Sequence, residues 1–310
     1  MKIKKTTFKR AVFVFCAFSL LLFFWSAQSF FSAEQTDYTH TELIRHYPER
    51  VSNEIINIDA AAAISLYWDG EKERVLYQKN TTESLPIASI SKIFTALIVY
   101  EEYAMDEPIG ITDRDMFTVP GLQDLRIWED TRIGDVLYPL LLESNNSIAN
   151  ALALQEKRFL QNDFIREMNK KAKEMGLSNT HFVNPSGLDE RNATNISTAR
   201  DISEAIKYIL KKTDLFSVMS TPSYRVYSYD RSVYYTTINT NQFLFSGNYE
   251  WQNRIVGGKT GFTYRALGCL LLVLESPDGE GYIINVVLGA NDRFREMERL
   301  VNFVHKAYKF

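Results

Sequence analysis

The pattern of apolar and polar positions divides the chain into three regions. Ala11–Trp25 form an apolar run, which Ser26–Phe31 extend. Residues 33–58 are polar and mixed and show no sustained period. From about Ala60 onward, segments with helical and strand-like periodicity follow one another, as in a folded domain. We therefore predict a signal peptide or N-terminal membrane anchor over 1–33, a linker over 34–59 and a folded domain over 60–310.

The folded region begins with strand-like patterns, continues with helical ones and then returns to strands. The predicted strands cover residues 61–68, 74–77, 224–239, 255–258, 267–274 and 282–288. The predicted helices cover residues 87–105, 135–154, 163–175 and 291–310, the last with Phe294, Met297, Val301 and Val304 on one face. This order favours an α+β fold, with a mainly antiparallel sheet, flanking helices and a helical subdomain inserted between its first and last strands.

The cysteine count and the net charge argue against two classes of protein, disulfide-stabilised and nucleic-acid-binding proteins. The chain has 310 residues, a net charge of −3 and two cysteines, Cys16 and Cys269. Cys16 lies in the apolar run, so a disulfide framework is excluded. Without the first 33 residues, which hold five basic groups, 30 basic and 38 acidic residues remain, a net charge of −8. That acidic balance argues against a nucleic-acid partner.

The N-terminal region has the pattern of an export signal. Its basic residues all precede the apolar run, which places the basic flank inside and everything from about residue 34 outside. Ala27-Gln28-Ser29 offers a small-x-small cleavage site. About 20 largely apolar residues are also enough to span a bilayer, so cleavage and a retained anchor through residues 11–31 both stay open. Either way we expect the domain at the outer face of the cytoplasmic membrane, in the periplasm or in the cell wall.

The first chemical motif is Ser89-Ile90-Ser91-Lys92, at the start of the helix predicted after Pro86. Three-residue spacing places the Ser89 hydroxyl and the Lys92 amine on the same side of one turn. The helix that follows is apolar almost all round, which predicts burial of Lys92. Burial favours the neutral amine, which is the form that can activate a serine hydroxyl. A helix-capping serine is the simpler alternative.

The second motif is Ser144-Asn145-Asn146, after the apolar stretch 136–142. In a turn, the Ser144 hydroxyl and the Asn146 carboxamide can point into one cleft, where Ser144 would pass a proton to a leaving group and Asn146 would hold a substrate amide. A plain turn at a helix end is the alternative interpretation. Ser246-Gly247-Asn248 has the same spacing and is a rival motif, in a segment that resembles a loop.

The third motif is Lys259-Thr260-Gly261, after two further glycines. On an edge strand it would present an ammonium group and a hydroxyl to an anionic substrate, and Gly261 would allow close approach of the backbone. An ordinary strand end is the alternative. The three motifs occur in this order at separations of 55 and 115 residues, which is more specific than any one of them.

Together these motifs resemble the penicillin-recognising serine enzymes, and more closely the low-molecular-weight penicillin-binding proteins that act as D-alanyl-D-alanine carboxypeptidases and endopeptidases. The resemblance extends from Ala60 to Phe303 and includes Pro86-Ile87-Ala88, residues 181–188, residues 197–201 and Leu288-Gly289-Ala290. It implies a β-lactamase/penicillin-binding transpeptidase-like fold, with residues 60–310 as the catalytic domain. The departures are Asn145, where many relatives have glycine or aspartate, and Phe262, where histidine or a small polar residue is common.

The resemblance also implies roles for residues. Ser89 would attack the carbonyl between two D-alanines, Lys92 would accept its proton and Ser144 would protonate the leaving amine. Asn146 would position the acyl side of the substrate. Lys259 and Thr260 would bind the substrate carboxylate, next to Gly261, and the backbone N–H groups of Ser89 and Phe262 would form the oxyanion hole. An arginine near the chain end would also meet the carboxylate. Arg295 matches it best, and Arg293 is a close competitor.

Two other functions remain open beside a D,D-peptidase. A class A-like β-lactamase would share the scaffold but needs a glutamate that activates the deacylating water, and no Glu-x-x-Leu-Asn stretch follows Ser144. A catalytically inactive wall-binding homologue is disfavoured because Ser89, Lys92 and Lys259 are all present. A metallopeptidase is poorly supported, since none of the four histidines belongs to a His-Glu-x-x-His pair. We expect no cofactor, peptidoglycan stem peptides as partners and β-lactam antibiotics as covalent inhibitors.

Overall fold

The computed structural model describes residues 47–111, 128–154, 161–228 and 232–310. The predicted apolar run and residues 34–46 of the predicted linker lie outside these residues. Within the described parts of the chain, no helix is both long and apolar enough to cross a membrane.

A five-stranded antiparallel sheet forms the centre of the fold. Its strands are β2 (Ala62–Trp68), β3 (Glu73–Lys79), β10 (Ile255–Thr263), β11 (Leu267–Glu275) and β12 (Tyr282–Ala290). Their order across the sheet is β10-β11-β12-β2-β3, so β10 and β3 are the two edges. β12 pairs with β2 from Tyr282↔Trp68 to Leu288↔Ala62, so the last long strand closes on the first. The predicted antiparallel α+β fold is confirmed.

Helices cover both faces of the sheet, which explains why β2 is buried along its whole length. The helices are α1 (Ser91–Glu102), α2 (Ile133–Leu141), α3 (Asn146–Ala153), α4 (Gln161–Glu174), α5 (Ala199–Lys212), α6 (Leu215–Met219) and α7 (Arg293–Ala307). On one face, α1 to α6 share a core with alternate residues such as Ile64 and Leu66. On the other, Met297, Val301 and Val304 of α7 pack on the sheet, as predicted for the closing helix.

Short two-stranded ladders accompany the sheet in the described parts of the chain. The remaining strands are β1 (Glu49–Arg50), β4 (Leu85–Pro86), β5 (Pro108–Ile111), β6 (Trp128–Arg132), β7 (Ile196–Ser197), β8 (Ser223–Tyr227), β9 (Val233–Ile238) and β13 (Tyr308–Lys309). β4 pairs with β7 just before the Ser-x-x-Lys motif, which ties that segment to the middle of the chain. The tyrosine-rich stretch predicted as β structure is the hairpin β8–β9.

The folded unit begins earlier than the boundary predicted at Ala60. β1 pairs with β13 at the end of the chain, and the Tyr47 ring lies edge-on to Tyr67 at a centroid distance of 5.9 Å. Ile58 is fully buried. Residues 47–59, which the sequence predicts as linker, therefore pack on the domain.

Two helical features differ from the prediction. The single helical pattern over 135–154 is divided into α2 and α3, because the chain turns at Ser144, whose φ is +68°. Helix α5 is absent from the predicted elements although it carries a start signal. Its Thr198 N-cap accepts a hydrogen bond from the Asp201 N–H, and Ile202, Ile206 and Ile209 are buried at helical spacing.

Candidate active site

Ser89 lies in a single 3-10 turn, Ala88–Ile90, directly before α1. Ala88 has a φ of +47°, a left-handed conformation that is unusual for a residue with a side chain. The buried Ser91 hydroxyl donates a hydrogen bond to the Ala88 carbonyl at 2.8 Å, which holds this turn. The first two turns of α1 are buried on all sides, so the nucleophile candidate is mounted on a rigid element.

Lys92 is fully buried, and its amine has three oxygen partners. Nζ lies 3.0 Å from Ser89 Oγ, 2.6 Å from Asn146 Oδ1 and 2.6 Å from the Ser186 carbonyl oxygen. The carboxamide oxygen and the carbonyl can only accept hydrogen bonds, whereas the Ser89 hydroxyl can also donate. A neutral amine that donates its two N–H bonds to Asn146 and Ser186 therefore directs its lone pair at the Ser89 O–H. This is the arrangement of a general base with its nucleophile.

The electrostatics favour that neutral form. Burial, and secondarily the nearby charge of Lys259, hold the pKa of Lys92 well below its usual value. The charge of one buried lysine at this site thus opposes protonation of the other. The neutral form, in which the sequence predicts Lys92 to act as a base, is therefore favoured.

The second motif lies in the turn between α2 and α3. Asn146 is the first residue of α3, and its contact with Lys92 brings the first two motifs together. Asn145 is the N-cap of that helix, because its Oδ1 accepts a hydrogen bond from the Ile148 N–H at 3.1 Å. Ser144 has its Oγ buried without a hydrogen-bond partner among the described residues, so its hydroxyl is uncommitted. Asn248 of the rival motif has no contact of this kind with Lys92 among the described residues.

The third motif lies on the edge strand β10. Lys259 is buried, and its Nζ donates to the Thr260 carbonyl at 3.1 Å. Burial, and to a lesser extent Arg293, lower the pKa of Lys259 to about 7. The Thr260 hydroxyl lies 2.6 Å from the Thr240 hydroxyl, and the Thr240 N–H donates to the Leu142 carbonyl. Thr240, which the sequence does not single out, thus connects the third motif with Leu142, two residues before the second motif.

Gly261 allows β10 to lie directly against the nucleophile turn. A Cβ at Gly261 would lie 3.1 Å from the Ser89 backbone nitrogen and 3.2 Å from the Ala88 Cβ, closer than most real contacts. The next backbone N–H along the strand belongs to Phe262. The close approach at Gly261 thus brings the segment that carries the Phe262 N–H beside the backbone of Ser89.

The arginine beside β10 is Arg293. Its Nη1 lies 3.5 Å from the Gly261 carbonyl oxygen, and the guanidinium is close enough to lower the pKa of Lys259. The side chain of Arg295 is 70% exposed and lies near Glu296 at 3.8 Å. Of the two arginines that compete in the sequence, the structure places Arg293 next to the third motif.

A turn over residues 184–187 supplies the carbonyl that Lys92 contacts. Asn184 Oδ1 accepts hydrogen bonds from the Ser186 and Gly187 N–H groups at 3.2 and 2.7 Å. The buried Asn195 side chain accepts a hydrogen bond from the Asn184 N–H at 3.2 Å and donates one to the Asn184 carbonyl at 2.8 Å. The sequence resemblance includes this segment but gives it no role. The group that contacts Lys92 is the backbone carbonyl of Ser186, which no side chain in the sequence indicates.

No group of three or more histidine, cysteine, aspartate or glutamate side chains within the described parts of the chain is arranged to hold a metal ion. The group in contact with the Ser89 hydroxyl is instead the Lys92 amine, which also bonds the Asn146 carboxamide, and the Lys259 amine is close enough for its charge to act on Lys92. These groups can move a proton and bind an anion.

Comparison with known proteins places these features in a family. The sequence model of the D-alanyl-D-alanine carboxypeptidase family matches residues 48–292. A D-alanyl-D-alanine endopeptidase of Pseudomonas aeruginosa is 31% identical over 217 residues, 69% of this chain and 67% of that protein. The D-alanyl-D-alanine carboxypeptidase DacF of Bacillus subtilis is 29% identical over 272 residues, 81% of this chain and 63% of that protein. The chain thus spans about two thirds of the length of these relatives.

Solved structures give the same fold. A penicillin-binding protein of Listeria monocytogenes in its cefotaxime-bound form superposes with a TM-score of 0.68 at 28% identity, covering 81% of this chain and 99% of that one. A DD-transpeptidase of Streptomyces superposes with a TM-score of 0.71 at 25% identity, covering 82% and 99%.

Proposed function

The chain belongs to the D-alanyl-D-alanine carboxypeptidase family, and on that premise we propose that it is a serine D,D-peptidase acting through an acyl-enzyme on Ser89. Its substrates are peptidoglycan stem peptides, cut at a D-alanyl bond. The observation that carries the proposal is the Lys92 amine, 3.0 Å from Ser89 Oγ and bonded to two acceptors that leave only its lone pair for the hydroxyl.

The acylation step follows from this geometry. Ser89 Oγ attacks the scissile carbonyl while Lys92 takes the hydroxyl proton, and the oxyanion is held by the N–H groups of Ser89 and Phe262. When the C–N bond breaks, the leaving amine needs a proton. We assign this step to the Ser144 hydroxyl, which bonds neither Ser89 nor Lys92 before a substrate binds. It gives its proton to the amine and takes one from Lys92, which returns to its neutral form. Water then hydrolyses the ester on Ser89 and releases the acid.

The carboxylate of the substrate binds at β10. Lys259 and Arg293 supply positive charge, and the Thr260 hydroxyl donates a hydrogen bond. In the structure the Thr240 hydroxyl donates to the Leu142 carbonyl at 3.0 Å, so the Thr260 hydroxyl donates to Thr240 Oγ1 and has to rotate toward a bound carboxylate. On the acyl side, Asn146 uses its Oδ1 for Lys92, and its Nδ2 remains to donate to a substrate carbonyl.

Covalent inhibition by β-lactams is part of the same proposal. A penicillin would acylate Ser89 as a substrate analogue, in line with the cefotaxime-bound form of the Listeria relative.

Because peptidoglycan lies outside the cytoplasm, the domain would be exported, through the basic flank and apolar run of its first 33 residues. A reporter fused after Phe310 is the test, since its activity in the cytoplasm would contradict export.

We expect Arg293→Gln to raise the KM for a D-Ala-D-Ala peptide by roughly tenfold to a hundredfold, because it removes a charge-assisted hydrogen bond to the carboxylate. Arg295→Gln is the matched control, and we expect its KM to change less than about twofold, as for an exposed surface charge. Steady-state kinetics on both variants decides the assignment. The opposite order of effects would transfer the role to Arg295.

We expect kcat/KM for the same peptide to follow a bell-shaped pH profile. It rises on the acidic side as Lys92 loses its proton, because only the neutral amine is a base. It falls above about pH 7 as Lys259 in the free enzyme loses the proton that binds the carboxylate. In the complex, the bound carboxylate favours charged Lys259, so the alkaline limb of kcat should lie at higher pH than that of kcat/KM. A kcat/KM that stays flat up to about pH 9 would contradict this role of Lys259.

Product analysis tests the function itself. Purified peptidoglycan fragments, both uncrosslinked and crosslinked, are incubated with the protein and with Ser89→Ala, and products are identified by mass. Release of D-alanine identifies a carboxypeptidase, and opening of crosslinks identifies an endopeptidase. If the folded wild-type protein releases neither product, the proposal is rejected.

A further inference from the structure

We propose that Phe262 and Tyr264 form an aromatic subsite that binds the substrate residue preceding the acyl D-alanine and favours a long aliphatic side chain there. The inference rests on the proposed function and adds a specificity determinant to it.

The first observation is the exposure of two large rings beside the nucleophile. Phe262 is 54% exposed and Tyr264 is 94% exposed. Their ring centroids lie 6.2 Å apart at an interplanar angle of 66°, so they form one continuous apolar surface. Phe262 directly follows Gly261, which packs on the Ser89 backbone, so the strand segment that carries the first ring borders the catalytic site. Adjacent exposed aromatic side chains at such a rim are typical of a ligand contact.

The second observation fixes the direction of the substrate. β10 is an edge strand of the sheet, and an extended peptide can lie along such an edge. The substrate carboxylate binds at Lys259 and Thr260, and the scissile carbonyl binds at the Phe262 N–H. The substrate therefore runs antiparallel to β10, and its acyl side continues from Phe262 toward Thr263 and Tyr264.

The distance along the chain then identifies the residue that meets the rings. β10 ends at Thr263, and Tyr264 is the first residue of the turn that follows. Two residues of chain span at most about 7 Å, so Tyr264 lies within one to two substrate residues upstream of the scissile carbonyl. That carbonyl belongs to the acyl D-alanine. The residue before it consequently lies at the ring pair.

The turn that carries Tyr264 is held in place. Arg265 donates through Nη2 to the Arg191 carbonyl at 2.9 Å and through Nη1 to the Ala193 carbonyl at 3.5 Å. Its backbone N–H donates to Asp189 Oδ2 at 3.3 Å. Because these contacts fix the turn to the loop over residues 189–193, the ring surface is formed before a substrate binds, which lowers the entropic cost of binding.

The test compares two peptides, acetyl-Gly-D-Ala-D-Ala and acetyl-norleucyl-D-Ala-D-Ala. Partial burial of the norleucine methylene groups on the rings should give the wild-type protein a kcat/KM about tenfold higher for the norleucine peptide. Tyr264→Ser and Phe262→Ser should each lower this ratio to about threefold or less. Ile55→Ser is the control. Ile55 is 88% exposed and lies beside β3 at the opposite edge of the sheet, so its loss should leave the ratio unchanged.

The ratio separates recognition from folding, because a damaged fold lowers the rates for both peptides together. A wild-type ratio near one, or an unchanged ratio in both ring variants, would overturn the subsite while the peptidase function stands. If the wild-type protein is acylated by a penicillin but cleaves neither peptide, the proposed function fails and the subsite with it.

Discussion

Lys92→Ala is expected to lower the rate of acylation by a labelled penicillin at least about a hundredfold, the usual size of a general-base effect. The reason is geometric. Lys92 Nζ is the amine that contacts Ser89 Oγ, and its other hydrogen bonds orient the lone pair toward that hydroxyl. Lys92→Arg should be impaired as well, because a guanidinium stays protonated and offers no lone pair. Stopped-flow or gel-based acylation kinetics measures both variants.

Lys79→Ala is the control for this prediction. Lys79 lies on β3, at the other edge of the sheet, and bonds Asn57 Oδ1 and the Ile58 carbonyl. Its removal should leave acylation within about twofold of the wild-type rate, as for most surface substitutions. A near-wild-type rate for folded Lys92→Ala would move the base to another group.

Gly187→Ala is expected to destabilise the protein by more than about 3 kcal/mol, because it combines backbone strain with a steric clash. Gly187 has a φ of +81°, and a Cβ there would lie 2.0 Å from the Ala88 carbonyl oxygen and 3.0 Å from the Ser89 backbone nitrogen. Both of these are backbone atoms of the nucleophile turn, so relaxation must displace Ser89. Denaturant unfolding measures the stability, and acylation kinetics measures the displacement.

Gly176→Ala is a closely matched control. Gly176 has a φ of +76°, and a Cβ at this position would have no atom within 4 Å apart from its chain neighbours. The variant should therefore lose only the cost of a left-handed conformation, about 1 kcal/mol. Equal losses of unfolding free energy in the two variants would show that the contact between residue 187 and the Ala88 carbonyl does not constrain the turn.

Features that depend on local spacing could be predicted from the sequence. The hairpin β2–β3 follows from an apolar run, a turn and a return strand, and the pairing of Ser89 with Lys92 follows from one helical turn. The burial of Lys92 is likewise predictable, because α1 is apolar on every side. The break at Ser144 is not, since residues 135–154 keep a helical pattern through the turn and Asn145 signals a cap only once the break is known.

Features that depend on how distant segments dock could not be predicted from the sequence. Arg293 and Arg295 are two residues apart at the start of α7 and therefore point in different directions, and the docking of α7 on the sheet decides which one meets β10. Thr240 connects Thr260 of the third motif, 20 residues away, with Leu142, which lies 98 residues away and just before the second motif. The Ser186 carbonyl carries no side-chain signature at all.

Mass mapping of the covalent adduct tests the central claim most directly. The protein is incubated with a penicillin, digested and sequenced by mass spectrometry, alongside Ser89→Ala. The account predicts a single penicilloyl group on the peptide that contains Ser89, persisting for minutes or longer, and no adduct on the variant. An adduct on another residue, or unchanged labelling of Ser89→Ala, would contradict the assignment of Ser89 as the nucleophile.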